Sequence, residues 1–212
     1  MKIIKIIAVA LSCFGALLAQ EGEVDFNLPK GLTMETQYST KDSELGDVLS
    51  FEGIDYMKLQ FRGDSLIGKG YHLTVKEIWD GKVVNDTTVI NSRAIGINQF
   101  ETLNDSVFNM TIIAKLDEDN KLKMTIRFPR FSIQKKFDAI ESDDYSLRNL
   151  ADESNLDIAY NKRFYLLGYI LPYEREDGSK SWCEVGSSGE DIENWGRKFG
   201  IKHYLLFEMK FE

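Results

Sequence analysis

The chain has 212 residues, a formal net charge of −8 and a sequence pI near 5.0. Nucleic acids and anionic lipids need a basic footprint, and no run of Lys and Arg supplies one, so neither partner is expected. A hydrophobic content of 43%, with 12% aromatic residues, excludes an intrinsically disordered chain and suffices for a substantial core, as one domain or as two small ones.

The first nineteen residues predict export. Lys2 and Lys5 precede an apolar run from Ile6 to Leu18, and Leu17 and Ala19 nearly match the small-residue pattern of a signal-peptidase site. The run is shorter than the about 20 apolar residues that span a bilayer, so cleavage after Ala19 is expected rather than retention in a membrane. The interpretation is a periplasmic or secreted protein with a cleavable signal peptide at 1–19.

Lipidation is the alternative fate of the leader. Leu11-Ser12-Cys13 resembles the lipobox of bacterial lipoproteins, but Ala10 replaces the usual branched residue and apolar residues continue beyond Cys13. Cleavage near Ala19 therefore remains the favoured interpretation. Once the leader is removed, Cys183 is the sole thiol, so no intramolecular disulfide can form, and we interpret it as a small buried apolar group.

Residues 20–212 are predicted to form a mainly β, antiparallel β-sandwich-like domain with one or two short helices, the clearest near the C-terminus. Apolar and polar residues alternate with period two, which is typical of strands with one face in water. Asp80-Gly81 and Asp177-Gly178 tolerate the positive φ of tight hairpin turns. The predicted strands cover residues 57–62, 71–76, 83–90, 108–116, 122–128, 164–173 and 201–211.

Two stretches break the alternation. Residues 138–162 are rich in Asp, Glu, Ser and Asn and are predicted to be a long connection with some helix, with a soft subdomain boundary near 138–155. The second is predicted to be a helix that begins at a Ser188 cap, with Asp191 three residues later as in a capping box, and ends at Gly200. Its apolar face consists of Ile192, Trp195 and Phe199.

A short motif suggests an enzyme. The segment 63–66, Gly-Asp-Ser-Leu, resembles the nucleophile block of the GDSL-type esterases, and 96–98 resembles part of their oxyanion-hole block. The family's late Asp-x-x-His is absent, because Gly200 stands three residues before His203. A serine nucleophile needs such a base, so we predict that Ser65 is a hairpin residue and not a nucleophile. A non-enzymatic role is favoured, and another enzymatic activity is left open.

The sequence indicates no metal site and no cofactor. His72 and His203 are far apart in the sequence and only one cysteine accompanies them, unlike the clustered ligands of zinc sites. His203 lies on the apolar face of the last predicted strand and is interpreted as an interior residue. Glu141, Asp143 and Asp144 could bind a cation or act as acid and base, but an acidic surface loop is the default interpretation.

Aromatic residues near the Asp177-Gly178 turn are the remaining functional signal. Tyr173, Trp182 and Tyr204 lie at strand ends or on less apolar strand faces. Planar rings exposed there suit sugar or peptide ligands, because they offer a large contact area at low cost in conformational entropy. We predict them as binding residues, with core packing as the alternative.

Three functions remain open. The leading hypothesis is an exported, non-enzymatic cell-envelope or secreted protein with a binding or structural role, whose partner is an unknown protein or glycan of the envelope. The first alternative is a carbohydrate-binding or carbohydrate-active protein. The second is a small outer-membrane β-barrel, since about 8 tilted strands fit a chain of this length. Membrane association is otherwise not expected after signal cleavage.

Overall fold

The computed structural model describes residues 30–182 and 191–212. The predicted leader at 1–19, with Cys13, and the residues Cys183 and Ser188 lie outside this part of the chain. The described chain is mainly β, with antiparallel sheets packed together and few short helices, one of them near the C-terminus, which confirms the predicted fold class.

Two five-stranded antiparallel sheets carry the fold, and a short hairpin completes it. Sheet 1 has the order β1-β2-β5-β6-β7, and its strands are Leu32–Tyr38, Asp55–Gly63, Val107–Leu116, Lys121–Arg127 and Ser132–Asp138. Sheet 2 has the order β4-β3-β12-β9-β8, and its strands in that order are Lys82–Asn91, Tyr71–Trp79, His203–Phe211, Phe164–Ile170 and Ser146–Asn149. The hairpin pairs β10 with β11, Tyr173–Glu174 with Lys180–Ser181.

The helices are short and lie between strands. They are α1, Ser43–Phe51; α2, Asn98–Glu101; α3, Leu150–Glu153; and α4, Trp195–Phe199, with 3-10 turns at Ser92–Ala94 and Ile192–Asn194. None of the helices in the described residues is long and apolar enough to cross a bilayer.

The core lies between the two sheets because each strand turns its apolar residues to the same side. Aromatic rings join the sheets directly. The ring of Phe211 in β12 lies 5.1 Å from that of Phe61 in β2 and 5.7 Å from that of Phe108 in β5, measured between centroids. Phe137 in β7 contacts Phe207 in β12 edge-on at 6.3 Å. These contacts define a sandwich.

The turn that joins β3 to β4 has the backbone conformation predicted for Asp80-Gly81. Asp80 and Gly81 have φ values of 48° and 70°, the left-handed conformation that a tight hairpin requires. The glycine has a second role, because a Cβ at Gly81 would lie 2.9 Å from the backbone N of Arg197. The turn therefore packs closely on α4, which ends at Gly200 with φ 71°.

The segment predicted to be a long connection carries the chain from one sheet to the other. It contains β8 and α3, and β8 pairs with β9 at the edge of sheet 2. Asn149 caps α3, since its side chain accepts a hydrogen bond from the Asp152 N–H. The soft subdomain boundary predicted near 138–155 thus falls at the passage between the sheets.

Candidate functional site

Two of the three predicted binding rings are buried. Tyr204 has no exposed surface, and its hydroxyl accepts a hydrogen bond from Gly196 N at 3.1 Å and donates one to the carbonyl O of Glu193 at 2.9 Å. Tyr173 is also buried, with its ring 5.4 Å from that of Phe199 in α4. Tyr204 thus joins α4 to sheet 2, and Tyr173 packs the hairpin against α4.

Trp182 is the predicted ring that keeps partial exposure. Its Nε1 donates a hydrogen bond to the carbonyl O of Ile170 at 3.4 Å, which ties it to the end of β9. The structure thus surrounds Tyr173 and Tyr204 with protein, whereas Trp182 can still meet a ligand. The binding role of these three residues stays a prediction.

Ser65 lies in an exposed turn between β2 and β3, and its backbone N–H donates to the hydroxyl of Tyr160 at 3.3 Å. His72 contacts Thr88 and Arg163, and His203 contacts Tyr145, so neither histidine is placed as a base for this serine. The arrangement lacks the nucleophile–base hydrogen bond of serine hydrolases.

A group of buried and partly buried polar side chains occupies the end of the sandwich where β2 and β12 begin. It consists of Asp55, Tyr145, Tyr169 and His203, which we call the end cluster. The hydroxyl of Tyr145 lies 2.5 Å from Nδ1 of His203. The hydroxyl of Tyr169 lies close enough to the carboxylate of Asp55 for each group to shift the pKa of the other. The two tyrosine rings lie 5.6 Å apart, so the four side chains form one contiguous group.

His203 is held neutral in this cluster. The Tyr145 hydroxyl accepts a hydrogen bond from Ile140 N at 3.1 Å and shares a second hydrogen bond with Nδ1 of His203. Within residues 30–182 and 191–212, Nε2 has no hydrogen-bond partner. Burial lowers the pKa of His203 to about 4, although the charge of Asp138 acts in the opposite direction.

The pKa of Asp55 is raised, whereas that of His203 is lowered. Burial raises the pKa of its carboxyl to about 6, despite hydrogen bonds from the Tyr169 hydroxyl and the Leu147 N–H that favour the charged form. Burial and the nearby Asp55 charge also raise the pKa of Tyr169. The end cluster therefore contains a carboxyl that exchanges its proton near neutral pH, a typical property of functional sites.

Two adjoining recesses, with volumes of about 350 and 450 Å³, open above the end cluster. They share Ser50, Gly53, Asp143 and Tyr145, and we call them together the end recess. The remaining lining includes rings, carboxylates and one lysine beside small and aliphatic residues. They include Tyr38, Asp55 and Tyr56 in the first recess and Phe51, Glu52, Lys115 and Tyr169 in the second.

Helix α1 forms one wall of the end recess and was not predicted. Asp42 caps it by accepting a hydrogen bond from Leu45 N at 3.1 Å, yet none of its residues is buried. Its apolar side chains face solvent, with Val48 56% and Phe51 88% exposed. The cap and the spacing of Leu45, Val48 and Leu49 are the sequence signals that could have identified it.

The three acidic residues predicted to bind a cation or to act as acid and base are separated. Asp143 lines both recesses, Asp144 forms an ion pair with Lys180, and Glu141 is exposed. Among the described residues, no three His, Cys, Asp or Glu side chains are grouped so as to hold a metal ion. Asp143 is the one member of the trio that belongs to the candidate site.

Comparison with known proteins gives no match: no family model, curated protein or solved structure is significantly similar to this chain. The chemistry of the end recess is therefore the basis for its function. Its carboxylates and hydroxyls can accept and donate hydrogen bonds, and its one lysine, Lys115, lies 3.8 Å from Glu52. A recess of this size, with rings and a few convergent polar groups, suits a small polar ligand.

Proposed function

We propose that the protein is an exported, non-enzymatic binding protein whose end recess binds a glycan of the cell envelope. The observation that carries this proposal is the collection of carboxylates and tyrosine rings in one recess. Ring faces pack on the apolar faces of a sugar, while carboxylates accept hydrogen bonds from its hydroxyl groups. Asp143 and Tyr145 are central, because they line both recesses.

The charge of the end recess favours a neutral sugar over an acidic one. Glu52, Asp55 and Asp143 contribute three carboxyl groups, and Lys115 is the single cation among the lining residues. A like-charged ligand would be repelled in such a partly desolvated site. A neutral glycan avoids this repulsion and can still use the carboxylates as hydrogen-bond acceptors.

Export is supported by Lys2, Lys5 and the apolar run that follows them. Mass spectrometry of the native protein tests it, with a mature N-terminus at Gln20 as the expected result. A diacylglyceryl group on Cys13 would instead establish a lipoprotein anchored in the membrane.

Glycan binding is tested with a panel of neutral oligosaccharides and a matched pair of variants in one loop. Asp143→Asn should weaken binding by about tenfold, because a hydrogen bond to a charged acceptor is lost. Glu141→Gln is the control, since Glu141 is exposed two residues away and does not line the recess. Equal affinities of the two variants, or no binding to any glycan of the panel, would contradict the proposal.

A glycoside hydrolase is a second candidate, favoured by the raised pKa of Asp55. A carboxyl with a pKa of about 6 is protonated often enough near neutrality to act as a general acid. Release of reducing sugar that Asp55→Asn abolishes, while ligand binding persists, would establish this alternative. Binding without turnover would favour the non-enzymatic role.

A further inference from the structure

The outer face of sheet 1, opposite the core, is strongly basic although the chain as a whole is acidic. Residues that alternate with buried ones in β2, β5, β6 and β7 point outward, and many of them are cations. We call this surface the basic face. Its main cations are Lys58, Arg62, Lys115, Lys123, Arg127 and Lys136.

The strand register concentrates three of these lysines in one row. Lys115 lies directly across from Lys123, and Lys123 lies directly across from Lys136. Strands are about 4.8 Å apart, so three like charges fall within about 10 Å. Like charges placed directly opposite each other destabilise a sheet. A ligand that carries negative charge would relieve this repulsion.

The cations of the basic face are only partly neutralised within the protein. Lys136 forms ion pairs with Asp117 and Asp119, and Lys115 lies near Glu52. Arg62 pairs with Glu35, and Lys121, on the same face of β6, pairs with Asp138. Lys58, Lys123 and Arg127 are all exposed, and none of them forms an ion pair with another described residue. These three side chains can therefore bind external anions.

A groove of about 570 Å³ adjoins the basic face beside Lys58. Its lining includes two cations, Lys41 and Lys58, and one carboxylate, Glu35. It also supplies side-chain amides and a hydroxyl, from Gln37, Gln60, Asn109 and Thr111, which suit the hydroxyl groups of sugars. The apolar side chains that are most exposed in the described chain, such as Phe51 and Val84, are not on this face. The apolar side chains that this face does carry, Val107 and Ile113, are partly buried, unlike the exposed apolar side chains that interfacial membrane binding uses.

We propose that the basic face and its groove bind an acidic polysaccharide, a chain of sugars that carries carboxylate or sulfate groups. The cations bind the acidic groups, and the amides bind the hydroxyl groups between them. The sequence alone does not reveal this site, because its cations come from four strands and form no run. The inference is independent of the end recess, whose own charge favours a neutral ligand.

The test uses the full mature protein and polygalacturonate, with methyl-esterified polygalacturonate as the neutral probe. Calorimetry at low and at physiological ionic strength should show binding of the acid form alone, weaker in more salt. The triple variant Lys58→Gln, Lys123→Gln, Arg127→Gln should lose affinity by about tenfold or more and should show less dependence on salt. Binding of the methyl ester as tight as that of the acid form would overturn the proposal.

The matched control is Lys82→Gln, Lys198→Gln, Lys202→Gln, which removes three exposed charges elsewhere. This variant should bind polygalacturonate as the wild type does. If it lost as much affinity as the first triple variant, the binding would be a general effect of net charge, and the proposal would be wrong.

Lys123→Gln alone should also weaken binding, which keeps the test valid if the triple variant unfolds. Tighter binding to phosphatidylglycerol vesicles or to single-stranded DNA than to polygalacturonate would overturn it too. Asp143→Asn should leave this binding unchanged, which separates it from the end recess.

Discussion

The end recess and the basic face lie on the same sheet and have opposite charge. Asp55 and Lys58 both belong to β2, yet Asp55 points inward to the recess and Lys58 points outward. The two regions meet at Lys115, which lies on the basic face and contacts Glu52 of the recess. Strand alternation thus separates charges that are close in sequence, and a net charge of −8 describes neither region.

The two regions also differ in the solvent exposure of their ionisable side chains. Burial displaces the pKa values of Asp55 and His203 in the end cluster, whereas Lys123 and Arg127 are exposed to solvent. Exposed charges are screened by salt, and buried groups respond instead to their own protonation. We therefore expect the end cluster to be sensitive to pH and the basic face to be sensitive to salt.

The largest expected effect concerns the core that the two regions share. Phe211 has no exposed surface and contacts Phe61 and Phe108 in sheet 1, so Phe211→Ala should lower the free energy of unfolding by about 3–5 kcal/mol. Urea titration measures the loss, and both binding activities should disappear over the same transition. Ile67→Ala, at an exposed position, is the control. If one site lost binding at a clearly lower urea concentration than the other, the two sites would not share one cooperatively unfolding core.

Acid should destabilise the protein through His203. Its folded pKa, about 4, lies below the ordinary 6.5, so the unfolded chain takes up the proton first and stability is lost as the pH falls through this range. The contribution is up to about 3 kcal/mol. Unfolding in urea between pH 6.5 and 4 measures it best in an Asp55→Asn background, because the Asp55 contribution has the opposite sign. In that background, His203→Gln should make the free energy of unfolding nearly independent of pH between 6.5 and 4. An unchanged dependence on pH would show that His203 is not the responsible group.

Asp55→Asn should stabilise the protein at neutral pH by about 1–2 kcal/mol, a value reduced for the partial exposure of this side chain. The folded pKa of Asp55, about 6, lies above its ordinary 3.8, so its contribution is complete below pH 3.8 and is lost as the pH rises through 6. Thermal unfolding at neutral pH and below pH 3.8 measures the difference. Below pH 3.8 the variant should be no more stable than the wild type. Asp143→Asn, at an exposed position, should show no such gain.

The smallest expected effect is on the basic face. Lys123→Thr removes the central charge of the row formed with Lys115 and Lys136, so it should stabilise the protein by about 0.2–0.5 kcal/mol. Added salt should stabilise the wild type more than the variant, because it screens the repulsion that the variant lacks. Lys82→Thr, opposite Trp79, is the control. A variant that gains as much from salt as the wild type would show that the row is not repulsive.

The sequence predicted strands well where period two was strong and a turn followed. β5 was predicted at 108–116 and spans Val107–Leu116, and β6 was predicted at 122–128 and spans Lys121–Arg127. Both flank a turn in which Asn120 adopts a positive φ of 55°. α1 was missed because it has only 9 residues, so the Asp42 cap and the spacing of Leu45, Val48 and Leu49 extend over little more than two turns.

The sites were less predictable because they depend on pairing between distant strands. Asp143 was a candidate, but Asp55 gave no signal, since an aspartate at the start of a strand is normally in water. Its contact with Tyr169 exists only after sheet 1 packs on sheet 2. His203 was correctly interpreted as interior, whereas its partner Tyr145 lay in a segment predicted to be a connection.

The position of β12 has a consequence for how the chain folds. This strand lies in the middle of sheet 2, paired with β3 on one side and β9 on the other. Its pairing with β3 joins residues far apart in the sequence, such as His203 and Trp79. Contacts of this kind require the closure of long loops, so we expect sheet 2 to form slowly and its early intermediates to expose the unpaired edges of β3 and β9.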